Sequence, residues 1–385
     1  MKTGIPYATQ SIDEHDIASV VAALRSDFLT QGGACDTFEL MIAETTRSNF
    51  CCCVSSASAA LHLTYLALGI EKGDLIWTSP NTFVATANMA LLAGAEIDFV
   101  DVDHATGNLC PKALENKLYN AKRTGRLPKI ITVVHFGGSS ADMHTIHKLC
   151  AGLDIKIVED ASHAMGGVYR KEPVGSCRFS DAAIFSFHPV KMITTGEGGC
   201  ITSNSKQLIE LTKSLRSHGI TKQADQFKNK THGGWYYEQH RLGLNYRLTD
   251  FQAALGISQL ARLPTFLERR NQIATTYDLH LSTDLVRPSI PKNVTSSFHL
   301  YPVQVKESSA RKDLYDYLHS RNVYAQVHYI PVHMHPFFQA RGFTIGQFPN
   351  AELFYSKSLS LPMFPSLTDK ELGYVIKTVN DGLIA

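Results

Sequence analysis

The chain has 385 residues, 44% of them hydrophobic and 19% charged, with a formal net charge of +2. That length and apolar content support a large buried core, as two domains or as one large domain with an appendage. The near-balanced charge, with no long basic run, argues against nucleic acid as a partner.

The opening stretch "MKTGIPYATQSIDEHD" contains no apolar leader. No apolar run reaches the roughly 18 residues of a membrane span, so the expectation is a cytoplasmic protein. Asp13 to Leu24 has helical periodicity after a candidate cap at Ser11. "CCCV" reads as an interior strand. Its three consecutive cysteines, among eight in all, suit neither a disulfide framework nor a tetrahedral metal site. They read as small, reduced, buried residues.

"SAALHLTYLAL" is rich in helix formers and stops at Gly69. "LIWTSP" reads as a strand, "TFVATANMALLAG" as a helix, and "EIDFVDVD" as a strand again. The alternation continues with the strand "KIITVVHF", the helix "MHTIHKLCAGL" and the strand that begins "DIKIVEDASHA". Two more strands, "DAAIFSF" and "GGCITS", precede the helix "SKQLIELTKSLRSHG". Such alternation predicts an α/β fold with a mostly parallel sheet covered on both faces. Ligands of such sheets bind beyond the carboxyl ends of the strands.

After Asn245 the pattern changes to long helices, interrupted near Pro264. "SSFHLYPVQV" then reads as a strand, with "SARKDLYDYLHSRN" and "TDKELGYVIKTVNDGL" as helices. The change places a domain boundary near residue 255, giving a large domain over 1–255 and a smaller C-terminal α/β domain over 256–385.

The chemistry concentrates between Ser180 and Ser205, "SDAAIFSFHPVKMITTGEGGCITSNS". Lys191 stands alone between an apolar strand and a glycine-rich turn. A lone lysine is most often a solvated surface group. An amine held against apolar surface loses its proton more easily, and a neutral lysine forms a Schiff base with an aldehyde cofactor. Pyridoxal phosphate also needs an acid at its ring nitrogen, and Asp160 closes the apolar strand "IKIV" in a suitable place. A turn aspartate is the plainer reading of that residue. The phosphate needs a cup, and Ser55, Ser56 and Ser58 precede a helix whose N–H groups attract anions. Ordinary capping explains these serines equally well. Ser186 offers a further hydroxyl, while Phe83 and His163 are candidates to pack against the ring.

"GEGG" lacks the spacing of a nucleotide-hydrolase loop, and no early G-x-G-x-x-G supports a dinucleotide site. "HYIPVHMHP" carries His328, His333 and His335 without a third suitably spaced ligand, so no metal is expected. Arg241, Arg247, Lys2 and His328 are candidates for the carboxylate and diphosphate of substrates.

Taken together, "SSASAALHL", "TSPNTFVATANMALLAGAEIDFVDVD", "IVEDASHAMGG", "SFHPVKMITTGEGG", "LGLNYRLTDFQAALGISQL" and "HYIPVH" resemble the DegT/DnrJ/EryC1/StrS family of sugar aminotransferases. The resemblance covers almost the whole chain. It implies the fold-type-I, aspartate-aminotransferase-like scaffold with pyridoxal 5'-phosphate. It implies that Lys191 bonds the cofactor and Asp160 partners its ring nitrogen. It further implies that Ala57, Ser58 and Ser186 hold the phosphate and that Phe83 and His163 flank the ring. Asn245 is implied to reach the phosphate across a homodimer interface, so that two chains share each active site. "HYIPVH" corresponds to part of the nucleotide-sugar pocket, which makes His328, Tyr329 and His333 substrate residues. The implied reaction moves the amino group of L-glutamate to C4 of a UDP-4-keto-6-deoxy-N-acetylhexosamine. "SSAS" departs from the family pattern, where threonine or glycine is frequent near the phosphate turn. Two alternatives remain open: an aminotransferase for another UDP- or dTDP-keto sugar, and a regulatory protein that binds the cofactor without turnover.

Overall fold

The structure, a computed structural model, describes residues 4–231 and 233–384. Its centre is a seven-stranded sheet built from β1 (Phe50–Val54), β2 (Leu75–Thr78), β3 (Glu96–Phe99), β4 (Ile130–Val134), β5 (Lys156–Asp160), β6 (Ala182–Ser186) and β7 (Gly199–Ser203). The spatial order is β1-β7-β6-β5-β4-β2-β3. Only β7 runs against its neighbours; the other pairings are parallel. Apolar residues pack on both faces, as the near-continuous apolar strands require. The carboxyl ends of β1, β4, β5 and β6 and the amino end of β7 therefore share one edge.

Most predicted strands occur within two residues of their expected bounds, but "EIDFVDVD" is strand only over Glu96–Phe99 and "SSFHLYPVQV" only over Tyr301–Val305. The helices Ala85–Leu92, Met143–Cys150 and Lys206–Leu215 fall inside the predicted stretches, and Ala57–Ala67 begins one residue before its own. The first helix, Glu14–Leu24, is capped by Asp13 and not by Ser11. The Asp13 carboxylate accepts the Asp16 N–H, and the Asp16 carboxylate accepts the Asp13 N–H. A helix at Gly33–Thr46 was not foreseen. The long helical stretch divides into Asp250–Ala261 and Leu263–His280, with Pro264 in the first turn of the second, where its missing N–H costs nothing.

The C-terminal region forms a separate three-stranded antiparallel sheet, Leu285–Val286, Tyr301–Val305 and Ser358–Leu361, with Tyr301–Val305 in the middle. The helices Leu263–His280, Ser309–Ser320 and Asp369–Gly382 pack with it. The chain start joins this region, because Ile5–Pro6 pairs in parallel with Val323–Tyr324. No helix among the described residues is long and apolar enough to cross a membrane.

All eight thiols are free, and all except Cys110 are buried. Burial pushes Cys35 and Cys177 up to about 12 and Cys150 and Cys200 up to about 11. No group of residues suited to a metal ion occurs among those described.

Candidate active site

At the shared sheet edge lies a cavity of about 420 Å³, within the size range of small-molecule sites. Its lining gathers Ala57, Ser58, Phe83, Asp160, His163, Ser186, Lys191, His328 and Tyr329, which sequence alone had singled out. It also gathers Ser56, one of the serines offered for the phosphate, and Tyr7, Thr86 and Ser162, which the sequence had not singled out.

Lys191 follows β6 in a turn held by side chains. Thr194 Oγ1 donates to the Phe187 carbonyl (3.0 Å) and accepts the Gly196 N–H (2.9 Å). Gly196 adopts a left-handed φ of 79°, which its missing side chain permits. Burial pulls the Lys191 amine down to about 8, while the negative charge of Asp160 opposes that shift.

Asp160 ends β5 and is buried, with both oxygens engaged. Its Oδ2 accepts Thr86 Oγ1 at 2.7 Å; its Oδ1 accepts Ser162 Oγ at 2.6 Å and Ser162 N at 3.2 Å. These bonds fix the carboxylate plane. Thr86 lies 74 positions from Asp160, so no local signal announced that bond, whereas Ser162 follows two residues on.

The candidate phosphate cup lies where β1 meets the Ala57–Ala67 helix. Ser56 caps that helix by accepting the Ala59 N–H at 3.1 Å. Ala57 and Ser58 occupy the first turn, where N–H groups lack intrahelical acceptors and the helix end is positive. Gly199 passes directly beneath: a Cβ there would come within 2.6 Å of Ala57 N.

His163 accepts the Gly137 N–H at Nδ1 (3.3 Å). Its Nε2 therefore carries the proton and donates to Tyr329 Oη at 3.0 Å. Burial holds His163 well below the usual histidine range, and it is neutral. His299 packs behind it, ring centres 4.5 Å apart. His328 is bonded through Nδ1 to Ser360 Oγ at 2.9 Å, and burial pulls it down to about 3. Phe83 is 59% exposed, and its ring lies 6.2 Å from that of Tyr329.

Four expected residues are not among the described residues that line this cavity. His333 does not face it. Its Nε2 bonds Glu352 at 2.9 Å and its ring packs on Phe348, so it anchors the "HYIPVH" loop to the Pro349–Lys357 helix. Asn245 is exposed and pairs through its backbone with Ser217. Arg241 and Arg247 are not among the lining residues, and Lys2 lies outside the described residues.

A buried amine and a buried, doubly anchored carboxylate on one cavity of this sheet define the class: a PLP-dependent enzyme of the aminotransferase fold. A model of the DegT/DnrJ/EryC1/StrS aminotransferase family matches residues 10–380. The chain belongs to that family. It is 39% identical to the UDP-4-amino-4,6-dideoxy-N-acetyl-beta-L-altrosamine transaminase of Campylobacter jejuni, over 97% of this chain and 96% of that one. Among solved structures, Helicobacter pylori PseC, an aminotransferase involved in the biosynthesis of pseudoaminic acid, superposes with a TM-score of 0.89 at 32% identity, covering 99% of both chains. The PLP form of the putative sugar aminotransferase Spr1654 of Streptococcus pneumoniae gives 0.89 at 27% identity over 98% of each chain.

Proposed function

We propose that this enzyme transfers the amino group of L-glutamate to C4 of UDP-2-acetamido-2,6-dideoxy-β-L-arabino-hex-4-ulose, giving UDP-4-amino-4,6-dideoxy-N-acetyl-β-L-altrosamine. The transaminase chemistry is carried by one observation: the Lys191 amine, lowered to about 8, shares a cavity with the buried Asp160. The choice of sugar is supported by the likeness to the Campylobacter and Helicobacter enzymes. When bound, pyridoxal phosphate supplies an electron sink for the carbon that gains or loses the amino group.

The chain's own residues then have separate tasks. Lys191 anchors the cofactor, and its freed amine takes a proton from glutamate Cα and delivers one to sugar C4. Asp160, oriented by Thr86 and Ser162, keeps a proton on the pyridine nitrogen. The N–H groups of Ala57 and Ser58, with the Ser186 hydroxyl, hold the phosphate. His163 and Phe83 pack against the ring, and His328 and Tyr329 face the substrate.

The working unit in this reading is a homodimer in which Asn245 of one protomer reaches the phosphate held by the other. The exposure of Asn245, beside the exposed Trp235, Tyr237 and Leu242, supports it. Mixing unfolded Lys191→Ala and Asn245→Ala chains and refolding them together should then restore about a quarter of wild-type activity, because each heterodimer keeps one intact site. No recovery would exclude shared sites.

The functional test is incubation with glutamate and the UDP-4-keto sugar. Equal amounts of 2-oxoglutarate and a C4 amine of the altro configuration are expected by NMR. Turnover of a dTDP-4-keto sugar with none of the UDP sugar would overturn the assignment.

A further inference from the structure

One wall of the cavity is made of neutral groups that can hydrogen-bond. It comprises Tyr7, His328, Tyr329 and His163. Burial keeps both histidines unprotonated at neutral pH, and it raises the Tyr7 and Tyr329 phenols, which keep their protons. Lys191 is the only lysine or arginine among the described residues that line the cavity. A dicarboxylate such as glutamate calls for guanidinium or ammonium partners. A neutral aromatic wall with hydroxyl and imidazole edges instead suits an uncharged, oxygen-rich ring.

Tyr7 stands out on this wall. Its ring lies 5.2 Å from that of His328. Its backbone is tied down by pairing of Ile5–Pro6 with Val323–Tyr324, and its carbonyl accepts the Met363 N–H at 2.8 Å. His328 is held through Ser360, in the strand just before Met363. Both rings are thus fixed to the same C-terminal sheet. The Tyr7 hydroxyl has no hydrogen-bond partner among the described residues, while the Tyr329 hydroxyl already accepts from His163.

We propose that Tyr7 is a specificity-determining residue whose hydroxyl hydrogen-bonds the sugar ring of the second substrate and makes no contact with the amino acid. This rests on the aminotransferase reading above.

The test is Tyr7→Phe holoenzyme, with the two half-reactions followed separately by cofactor absorbance. KM for the keto sugar should rise about tenfold, the value of one lost hydrogen bond, with kcat within threefold. The glutamate half-reaction should stay within twofold of wild type, which also reports that the variant is folded. Binding of the keto sugar to Lys191→Ala protein, measured by calorimetry, should weaken by a similar factor when Tyr7→Phe is added. Equal losses in both half-reactions, a loss confined to glutamate, or wild-type behaviour in both would overturn the inference alone. Wild-type enzyme that accepts glutamate but no keto sugar would overturn the functional reading and this inference with it.

Discussion

Lys191 shows how one residue's environment sets its chemistry. The folded protein lowers its amine from an ordinary 10.5 to about 8. The rate at which apo-protein captures pyridoxal phosphate should therefore rise with pH and reach half its plateau near pH 8, as followed by absorbance. A half-point near 10 would mean that burial does not tune this amine. The same shift has a stability consequence of definite sign. Below pH 8 the folded protein holds a charged amine against burial, and this penalty fades as pH rises toward 10.5. Apo Lys191→Met should melt at a higher temperature than apo wild type at pH 7, and the gain should shrink above pH 10. Turnover by Lys191→Ala should fall at least 10²–10⁴-fold, roughly the value of a positioned base. Asp160 was legible in sequence because it ends an apolar strand, and Lys191 because it stands alone between such a strand and a glycine-rich turn. Tyr7 was not, because it sits in a short segment with no periodicity and meets the cavity only through pairing with residues more than 300 positions away.

At the level of elements, the cup depends on how closely β7 passes under the Ala57–Ala67 helix. Gly199 pairs with both Val54 and Ser186, the last residues of β1 and β6. Gly199→Ala would push against Ala57 N and the Ser56 carbonyl carbon. A misfit of this kind costs about 1–3 kcal/mol. We expect a matching fall in thermal stability and a weaker hold on pyridoxal phosphate, measured by equilibrium dialysis. Undiminished affinity would show that the cup shifts without loss. The helix start was readable from its serines. The close approach of the strand below was not, since it is a tertiary contact. His333 teaches the complementary lesson: it belongs to a motif that reaches the cavity, yet its own side chain serves the loop behind.

For the whole molecule, the segments around the three-stranded C-terminal sheet are tied together by a buried cation. Arg270, 1% exposed, donates through Nη1 to the carbonyls of Phe298 (3.0 Å), His299 (3.4 Å) and Met363 (2.9 Å), and burial pulls it down to about 9. It thus links the Leu263–His280 helix to the segments carrying His299 and Met363. Arg270→Met leaves those carbonyls unpaired, at a cost of about 1–3 kcal/mol for a stranded buried group. The denaturant midpoint should fall accordingly; an unmoved midpoint would show that the three segments hold without it. We propose that the chain divides near residue 255, with Ile5 joining the second unit, since it packs with Ile273, Tyr301 and Val323. The alternating pattern made the α/β scaffold readable, because strands buried on both faces leave unbroken apolar runs. The return of the N-terminal segment to the far end of the chain left no such trace.

The burial of seven sulfurs makes the protein its own gauge of integrity. A thiol-reactive dye added to native enzyme should label Cys110 quickly and the others only as fast as the interior opens. Counting labelled sites against time would then report breathing of the sheet beneath the cofactor cup, with no engineered probe.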